Sequence, residues 1–158
     1  DTKFKAESDP ANEVWSIDFK GSFRLQSGER CDPVTVTDSV SRFAIGCVAL
    51  RQPRLELVQP ALIRLFREYG LTIRMRSDNG PPFAGRGLGG LSRLAVWLIK
   101  LGIRPERIMP GKPQQNGRHE RFHRTLKQET ASPPKADFAA QQRAFGYFLR
   151  RYDEERPR

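Results

Sequence analysis

The feature that most constrains the fold is a change of hydrophobic period part-way along the chain. Residues 13–20 alternate as a strand does, with Trp15 and Ile17 on one face and Asp18 on the other. The stretches 30–38 and 42–50 are rich in β-branched and apolar residues and are separated by a short serine-rich turn. These three stretches predict an antiparallel meander.

The second part of the chain has apolar residues at helical spacing, interrupted by short strand-like runs. The predicted elements lie, in order, at 60–69 (helix), 71–76 (strand), 88–101 (helix), 103–109 (strand), 116–130 (helix) and 137–152 (helix). Gly70 and Gly102 end the first two helices, 110–115 is a loop, and Asp137 is the expected N-cap of the last helix. The order predicts an α/β fold whose five-stranded mixed sheet carries helices on both faces, with a site near strand ends.

Charge indicates the kind of partner. The chain has 28 Lys and Arg against 18 Asp and Glu, which gives a net charge of +10. A domain this basic repels itself unless it works against a polyanion, and nucleic acid is the usual one. The alternative is a basic protein whose charge serves solubility alone.

Other classes are disfavoured by composition. No stretch approaches the roughly 20 apolar residues of a membrane span, and no signal peptide opens the chain. Cys31 and Cys47 stand singly in strand-like runs, so we expect small buried hydrophobes in a reducing compartment, with the cytoplasm as the location. Residues 1–12 are interpreted as a polar leader and 13–158 as one domain.

Three acidic residues occupy positions that structure alone does not require. Asp18 lies in a strand between apolar neighbours, where a carboxylate is costly unless it is paired or binds metal. Asp78 ends the fourth strand within SDNG, and Glu120 lies on a helix face with cationic and amide residues, away from the apolar side. Taken singly, each has a simpler interpretation: a solvated sheet face, an ordinary turn, and a surface ion pair with Arg124.

Together these carboxylates favour one chemistry. Hard divalent cations such as Mg²⁺ prefer oxygen ligands that converge from several elements. The chain has only two His and two Cys, which disfavours a structural zinc site. No serine-rich elbow lies near either histidine, which disfavours a Ser-His-Asp triad.

Three motifs in fixed order carry a family resemblance. WSIDF around Asp18, SDNGPPF around Asp78 and KPQQNGRHERFHRTLK around Glu120 resemble the integrase core of retroviral integrases and bacterial insertion-sequence transposases. The bacterial branch is the more similar, through VTDSVSRFAIG and the terminal RYDEERPR. The 41 residues between Asp78 and Glu120 exceed the family's usual spacing, and we place the extra length in the glycine-rich stretch 85–90.

The resemblance implies a ribonuclease-H-like fold with Asp18, Asp78 and Glu120 as the catalytic residues. They would hold two Mg²⁺ ions, which Mn²⁺ can replace, with Asp18 shared and the other two carboxylates each holding one. The implied reaction frees a 3′-OH at transposon DNA ends and joins it to target DNA. Implied DNA contacts, mostly to the backbone, are Lys112, Gln114, Gln115, Asn116, Arg124 and Lys127.

The family resemblance also implies a homo-oligomer, a dimer or larger, assembled on DNA without a membrane partner. Asp38 is a competing carboxylate, which we interpret as stabilising a turn. His119 and His123 flank Glu120 and are interpreted as packing or phosphate neighbours rather than metal ligands.

Two alternatives on the same fold remain open. One is a nuclease that cuts DNA without joining it, and the other is an inactive DNA-binding relic. The intact carboxylates argue against the relic. Because no helix-turn-helix segment precedes residue 13, we expect the chain to be the core of a longer protein.

Overall fold

The computed structural model describes residues 12–19, 21–78, 92–107 and 113–155, with the side chains of 113–119 and 155 outside that description. The strands are β1 (Val14–Phe19), β2 (Phe23–Arg24), β3 (Arg30–Asp38), β4 (Ala44–Leu50), β5 (Arg74–Ser77) and β6 (Arg104–Arg107). The helices are α1 (Leu55–Tyr69), α2 (Arg93–Lys100), α3 (Pro113–Thr130) and α4 (Phe138–Glu155).

Five strands form a mixed sheet in the order β4-β3-β1-β5-β6. The first three strands of this order are antiparallel, which confirms the predicted meander, and β1, β5 and β6 are parallel neighbours. The two-residue strand β2, which the sequence did not predict, pairs with the start of β3. It lies within the turn-rich stretch 21–29, where so short a pairing leaves no periodic signal.

The two faces of the sheet pack against different helices, and the side chains of β1 alternate between these faces. Trp15 and Ile17 are buried with α1 and α2 in one apolar cluster, where the Trp15 ring stacks on Phe66 at 5.4 Å between centroids. On the opposite face, Cys47 of β4 is buried in one apolar cluster with Phe122 of α3 and other apolar residues of α3 and α4. Helices therefore cover both faces, as the sequence predicts, and Asp18 lies on the face of α3.

Helix α1 begins five residues before its predicted start, and Pro60 lies inside it. A proline is common at the first helical position, so Pro60 by itself indicates a helix start there. Val58, fully buried one turn before Leu62, extends the apolar stripe backwards and holds the earlier turn in place.

Other boundaries also differ from prediction. Strand β5 begins at Arg74 rather than 71, and β6 (Arg104–Arg107) begins at 104 rather than 103. The predicted end of the last strand, at 108–109, lies outside the described residues. Helix α3 begins at Pro113, so Gln114 and Gln115 are helical and the predicted loop through residue 115 is wrong in that part. A proline at the first helical position leaves no hydrogen bond unmade, because the first N–H groups of a helix have no intrahelical partner.

The predicted cap of α4 is confirmed, since the Asp137 carboxylate accepts a hydrogen bond from the Ala140 N–H at 2.9 Å. Helix α2 has a similar cap, in which Ser92 accepts from the Ala95 N–H at 3.0 Å. Within the described part of the chain, no helix has both the length and the apolar character that crossing a membrane requires.

Candidate active site

Asp18 lies at the carboxyl end of β1 on the face that α3 covers. It pairs in register with Thr35 of β3, and its side chain is 16% exposed. One carboxylate oxygen, Oδ2, lies 4.0 Å from Nε2 of His123 on α3. The carboxylate is therefore partly buried beside an imidazole and still reaches solvent.

Asp78 directly follows β5, the parallel neighbour of β1. In this pair Val14 lies beside Arg74 and Ser16 beside Arg76, so each partner is 60 positions later in the chain. If this offset of 60 is continued for two more residues, Asp78 is the position that corresponds to Asp18. Because neighbouring strands lie about 4.8 Å apart, this register, continued past the end of β5, directs both residues to the same end of the sheet.

The side chain of Asp78 is exposed and lines a pocket of about 220 Å³ beside the start of α2. Ser77, Ser92 and Glu106 also line this pocket. Asp78 thus borders open space at the end of β5. The predicted glycine-rich stretch 85–90 lies outside the described residues.

Glu120 is exposed on α3, one turn before His123. Phe122 and Leu126, each 4% exposed, fix the opposite side of this helix in the core. The predicted separation of an apolar side from the Glu120 side is therefore confirmed. Glu120 lines a second groove, of about 380 Å³, together with Arg124 and Lys127.

A polar contact ties α3 to the strands beside Asp18. Thr35 Oγ1 and His123 Nε2 lie 2.7 Å apart, and the same hydroxyl donates to the Asp18 carbonyl oxygen at 3.4 Å. Which of the two atoms donates in the contact between Thr35 and His123 depends on the tautomer of the imidazole. Thr35 was not singled out from the sequence, although its alternation in β3 places it on the face of Asp18.

His123 thus holds a packing position, as predicted, with its ring edge-on to Phe122 at 5.4 Å between centroids. Its contact with Asp18 links the helix that carries Glu120 to the strand that carries Asp18. The register adds Asp78 to this end of the sheet. Among the described residues, no group of three or more His, Cys, Asp or Glu side chains is arranged so that it could hold a metal ion.

The donor chemistry of the three carboxylates fits magnesium. All three supply oxygen ligands, and their exposure ranges from partial for Asp18 to open for Asp78 and Glu120. Mg²⁺ keeps several waters and takes only one or two protein carboxylates, so a partly open set of this kind suits it better than a closed cage.

The remaining predicted DNA contacts lie on or next to α3. Arg124 and Lys127 are exposed and follow Glu120 by one and two turns on the same face. Gln114, Gln115 and Asn116 lie in the first turn of α3, and their side chains are outside the described part. Lys112 lies outside the described residues altogether.

Asp38, the competing carboxylate, stabilises a turn. Its Oδ1 accepts hydrogen bonds from the Val40 and Ser41 N–H groups, both at 2.9 Å, and the residue is 2% exposed. The same turn holds Arg42 at a φ of 65°. The prediction of a turn role is confirmed.

The two cysteines are buried and unpaired, as predicted. Burial raises the pKa of the Cys31 thiol from 9.0 to about 12, with the Asp32 charge adding to the shift. Burial also raises the pKa of Cys47. Both thiols act as small apolar groups in the cluster beneath α3 and α4.

Comparison with known proteins identifies the family. The sequence profile of the integrase core domain matches residues 9–113, and a second profile with the same description matches 101–158. The chain belongs to the integrase core family. An uncharacterized 31.7 kDa protein of insertion element IS407 from Burkholderia multivorans is 32% identical over 147 residues, 92% of this chain.

That relationship places this integrase-core chain on the bacterial insertion-sequence branch, as the motifs predict. The chain spans 50% of the length of the insertion-element protein.

Solved integrase structures share the fold. The catalytic core of BIV integrase aligns with a TM-score of 0.67 and 20% identity over 93% of this chain and 87% of that one. The simian T-cell lymphotropic virus intasome aligns with a TM-score of 0.72 and 16% identity over 98% of this chain and 53% of that one. The HTLV-2 integrase core in complex with magnesium aligns with a TM-score of 0.67 and 13% identity, covering 92% and 87%. The fold is therefore ribonuclease-H-like.

Proposed function

We propose that this chain is the catalytic core of a transposase that cleaves transposon DNA ends and transfers the freed 3′-OH into target DNA. One observation carries the proposal. The parallel pairing of β1 with β5 directs Asp18 and Asp78 to the same end of the sheet, and α3, which bears Glu120, contacts Asp18 through His123.

Asp18, Asp78 and Glu120 would hold the magnesium ions, which Mn²⁺ can replace. The bound ions would stabilise the negative charge that builds up on the phosphate during the reaction. The magnesium in the HTLV-2 integrase core supports this assignment, because that protein has the same fold.

The other residues of the site orient these carboxylates and the DNA. Thr35 of β3 donates to the Asp18 backbone carbonyl, and His123 of α3 lies 4.0 Å from the Asp18 carboxylate, so both elements contact Asp18. Arg124 and Lys127 present cations one and two turns after Glu120, where they bind phosphate oxygens and set the position of the strand. Gln114, Gln115, Asn116 and Lys112 would extend this contact to the start of α3.

The chemistry consists of two displacements at phosphorus. In the first, a water oxygen bonds to the phosphorus at the transposon end, and the bond to the 3′ oxygen breaks, leaving a 3′-OH. In the second, that 3′ oxygen bonds to a target phosphorus, and the target's own 3′ oxygen leaves with a proton. The number of phosphodiester bonds is unchanged in the second step, so no external energy source is required.

The proposal includes assembly and location. A homo-oligomer on DNA is supported by the assembled viral relatives, an intasome and the trimeric HTLV-2 core. The two buried, unpaired thiols fit a reducing compartment, so we place the protein in the cytoplasm, on the nucleoid when it is bound to DNA.

A strand-transfer assay tests the proposal. Duplexes with the end sequence of the parent element, pre-cut to expose the 3′-OH, are incubated with a target plasmid and Mg²⁺ or Mn²⁺. We expect joined product from the unmodified chain and none from Asp78→Asn or Glu120→Gln, with DNA binding largely retained. Glu129→Gln is the matched control, because this exposed residue lies on the same helix, half a turn round from Glu120.

The outcomes separate the alternatives on this fold. Cutting of an uncut end without any joined product identifies a nuclease and contradicts strand transfer. Binding without cutting or joining identifies a DNA-binding relic. Full activity of Asp78→Asn removes Asp78 from the site.

A further inference from the structure

Arg76 lies two residues before Asp78 on β5, on the face of the sheet that carries Asp18. It is in register with Ser16 of β1, which shares that face with Asp18 by alternation. The neighbouring Met75 is buried in the cluster with α1 and α2, so the side chain of Arg76 points to the opposite face. Strand spacings place the Cα atoms of Arg76 and Asp18 roughly 8 Å apart, a distance that an extended arginine side chain can largely bridge.

The guanidinium of Arg76 is held at one end. Its Nε donates to Oε2 of Glu106, the residue in register with it on β6, at 3.3 Å. Within the part of the chain that the structure describes, neither terminal nitrogen, Nη1 or Nη2, has a hydrogen-bond or ion-pair partner. The side chain is 28% exposed. The two terminal nitrogens therefore offer donors to a group that approaches from solvent.

Arg74, two residues earlier on the same face, differs in this respect. Its Nη1 donates to Oε1 of Glu106 at 3.2 Å, and its Nη2 donates to Glu13 at 3.1 Å. The two arginines share one carboxylate and have nearly equal exposure, 29% for Arg74 and 28% for Arg76. They differ in that the terminal nitrogens of Arg74 are both used, and in that Arg76 lies nearer to Asp78.

A phosphodiester is the ligand that this arrangement fits best. Its two charged, non-bridging oxygens match the parallel N–H groups of a guanidinium. An arginine fixed beside a reacting phosphate also stabilises the negative charge that develops there. The ion pair with Glu106 orients the guanidinium in advance, which lowers the entropy lost when a phosphate binds. As a surface ion pair alone, the contact would contribute little to stability.

We infer that Arg76 is a substrate-binding residue of the site, whose Nη1 and Nη2 donate to a phosphate of the DNA strand bound at Asp18 and Asp78. The choice of DNA as the substrate rests on the proposed function. The cleaved transposon end and the target strand present the same phosphate group, so both are sources of this ligand. Arg74, by contrast, holds Glu106 in place and does not contact DNA.

Binding measured without metal tests Arg76 apart from catalysis. Fluorescein-labelled duplexes are titrated with the chain in EDTA at several salt concentrations, and anisotropy gives the affinity. Arg76→Gln should weaken binding about tenfold, which is ~1.4 kcal/mol, and should lower the slope of log affinity against log salt by about one. The loss should be equal for unrelated sequences, because phosphate contacts carry no sequence information directly.

Arg74→Gln is the matched control. It removes the same charge from the same strand and takes one partner from Glu106, so effects of net charge or of a weakened ion pair appear in both variants. We expect an affinity change of less than about twofold, because salt screens a charge that makes no contact. Arg76→Lys should keep the salt slope but lose part of the affinity, since one ammonium cannot reproduce the guanidinium fork. Similar melting temperatures of all three variants exclude misfolding as the cause.

A second arm identifies the strand. A methylphosphonate, in which a methyl group replaces one charged oxygen, is placed at the cleavage position of a duplex that carries the transposon end. If Arg76 binds the end strand, Arg76→Gln causes no further loss on this duplex. If the tenfold loss persists there and on unrelated duplexes, the phosphate belongs to the target strand.

Equal losses in Arg76→Gln and Arg74→Gln, no loss in either, or a loss confined to one sequence overturns the inference. A chain that joins DNA normally but binds it equally well with Arg76→Gln keeps the proposed function and rejects the role of Arg76. A chain in which Arg76→Gln alone weakens binding, but which never cuts or joins DNA, supports the phosphate contact and contradicts the proposed function instead.

Discussion

Phe122→Ala tests whether α3 is fixed as the site requires. Phe122 is 4% exposed, and its ring lies 5.1 Å from Tyr152 and 6.0 Å from Phe148, measured between centroids. Truncation of a buried Phe costs about 3–5 kcal/mol, and the ring contacts place this residue near the middle of that range, at about 4 kcal/mol. For a chain of this size the melting temperature should fall by roughly 10 °C.

Urea unfolding followed by tryptophan fluorescence measures the loss, because Trp15 is fully buried in the other cluster and reports global unfolding. Phe122→Leu is the control and should cost less than about 1.5 kcal/mol, since most of the apolar volume is kept. A loss below about 1.5 kcal/mol in Phe122→Ala would refute the packing of α3 on α4 and, with it, the placement of Glu120 on the side of α3 that faces away from the core.

Four further predictions concern individual side chains. Lys127→Ala should weaken DNA binding across unrelated sequences and lower the slope of log affinity against log salt by about one; a loss confined to one sequence would indicate base readout. Asp137→Ala removes the cap of α4 and should cost about 1 kcal/mol in thermal denaturation, whereas Asp137→Asn should keep most of the stability. Because burial raises the pKa of Cys31 from 9.0 to about 12, folding favours the protonated thiol, so stability should fall as the pH rises above about 9. At pH 8 a thiol reagent should modify Cys31 and Cys47 only after unfolding in urea; rapid labelling of the folded chain would contradict their burial.

The sequence predicts the fold well because the spacing of apolar residues along the chain distinguishes strands from helices. The alternation of Trp15 and Ile17 with Asp18 in β1 is a local pattern, and the structure keeps it without change. Pro60 misleads because a proline signals a helix start locally, while the buried Val58 shows that tertiary packing extends the helix backwards. Strand β2 is too short to carry a period at all.

The site is less visible in the sequence because it depends on register and on contacts between distant residues. Nothing in the local sequence shows that β5 pairs with β1 at an offset of 60, which is the relation that brings Asp78 to Asp18. The contact between Thr35 and His123 joins residues 88 positions apart. Residue type and motif identify the carboxylates in the sequence. The structure adds the contact between His123 and Asp18 that links α3 to β1.

The most direct test of the central claim is a crystal structure of the chain soaked with Mn²⁺ and measured for anomalous scattering. The proposal predicts manganese peaks bound by Asp18, Asp78 and Glu120 at the carboxyl ends of β1 and β5, and loss of those peaks in Asp78→Asn. Manganese bound elsewhere, or peaks unchanged in Asp78→Asn, would contradict it.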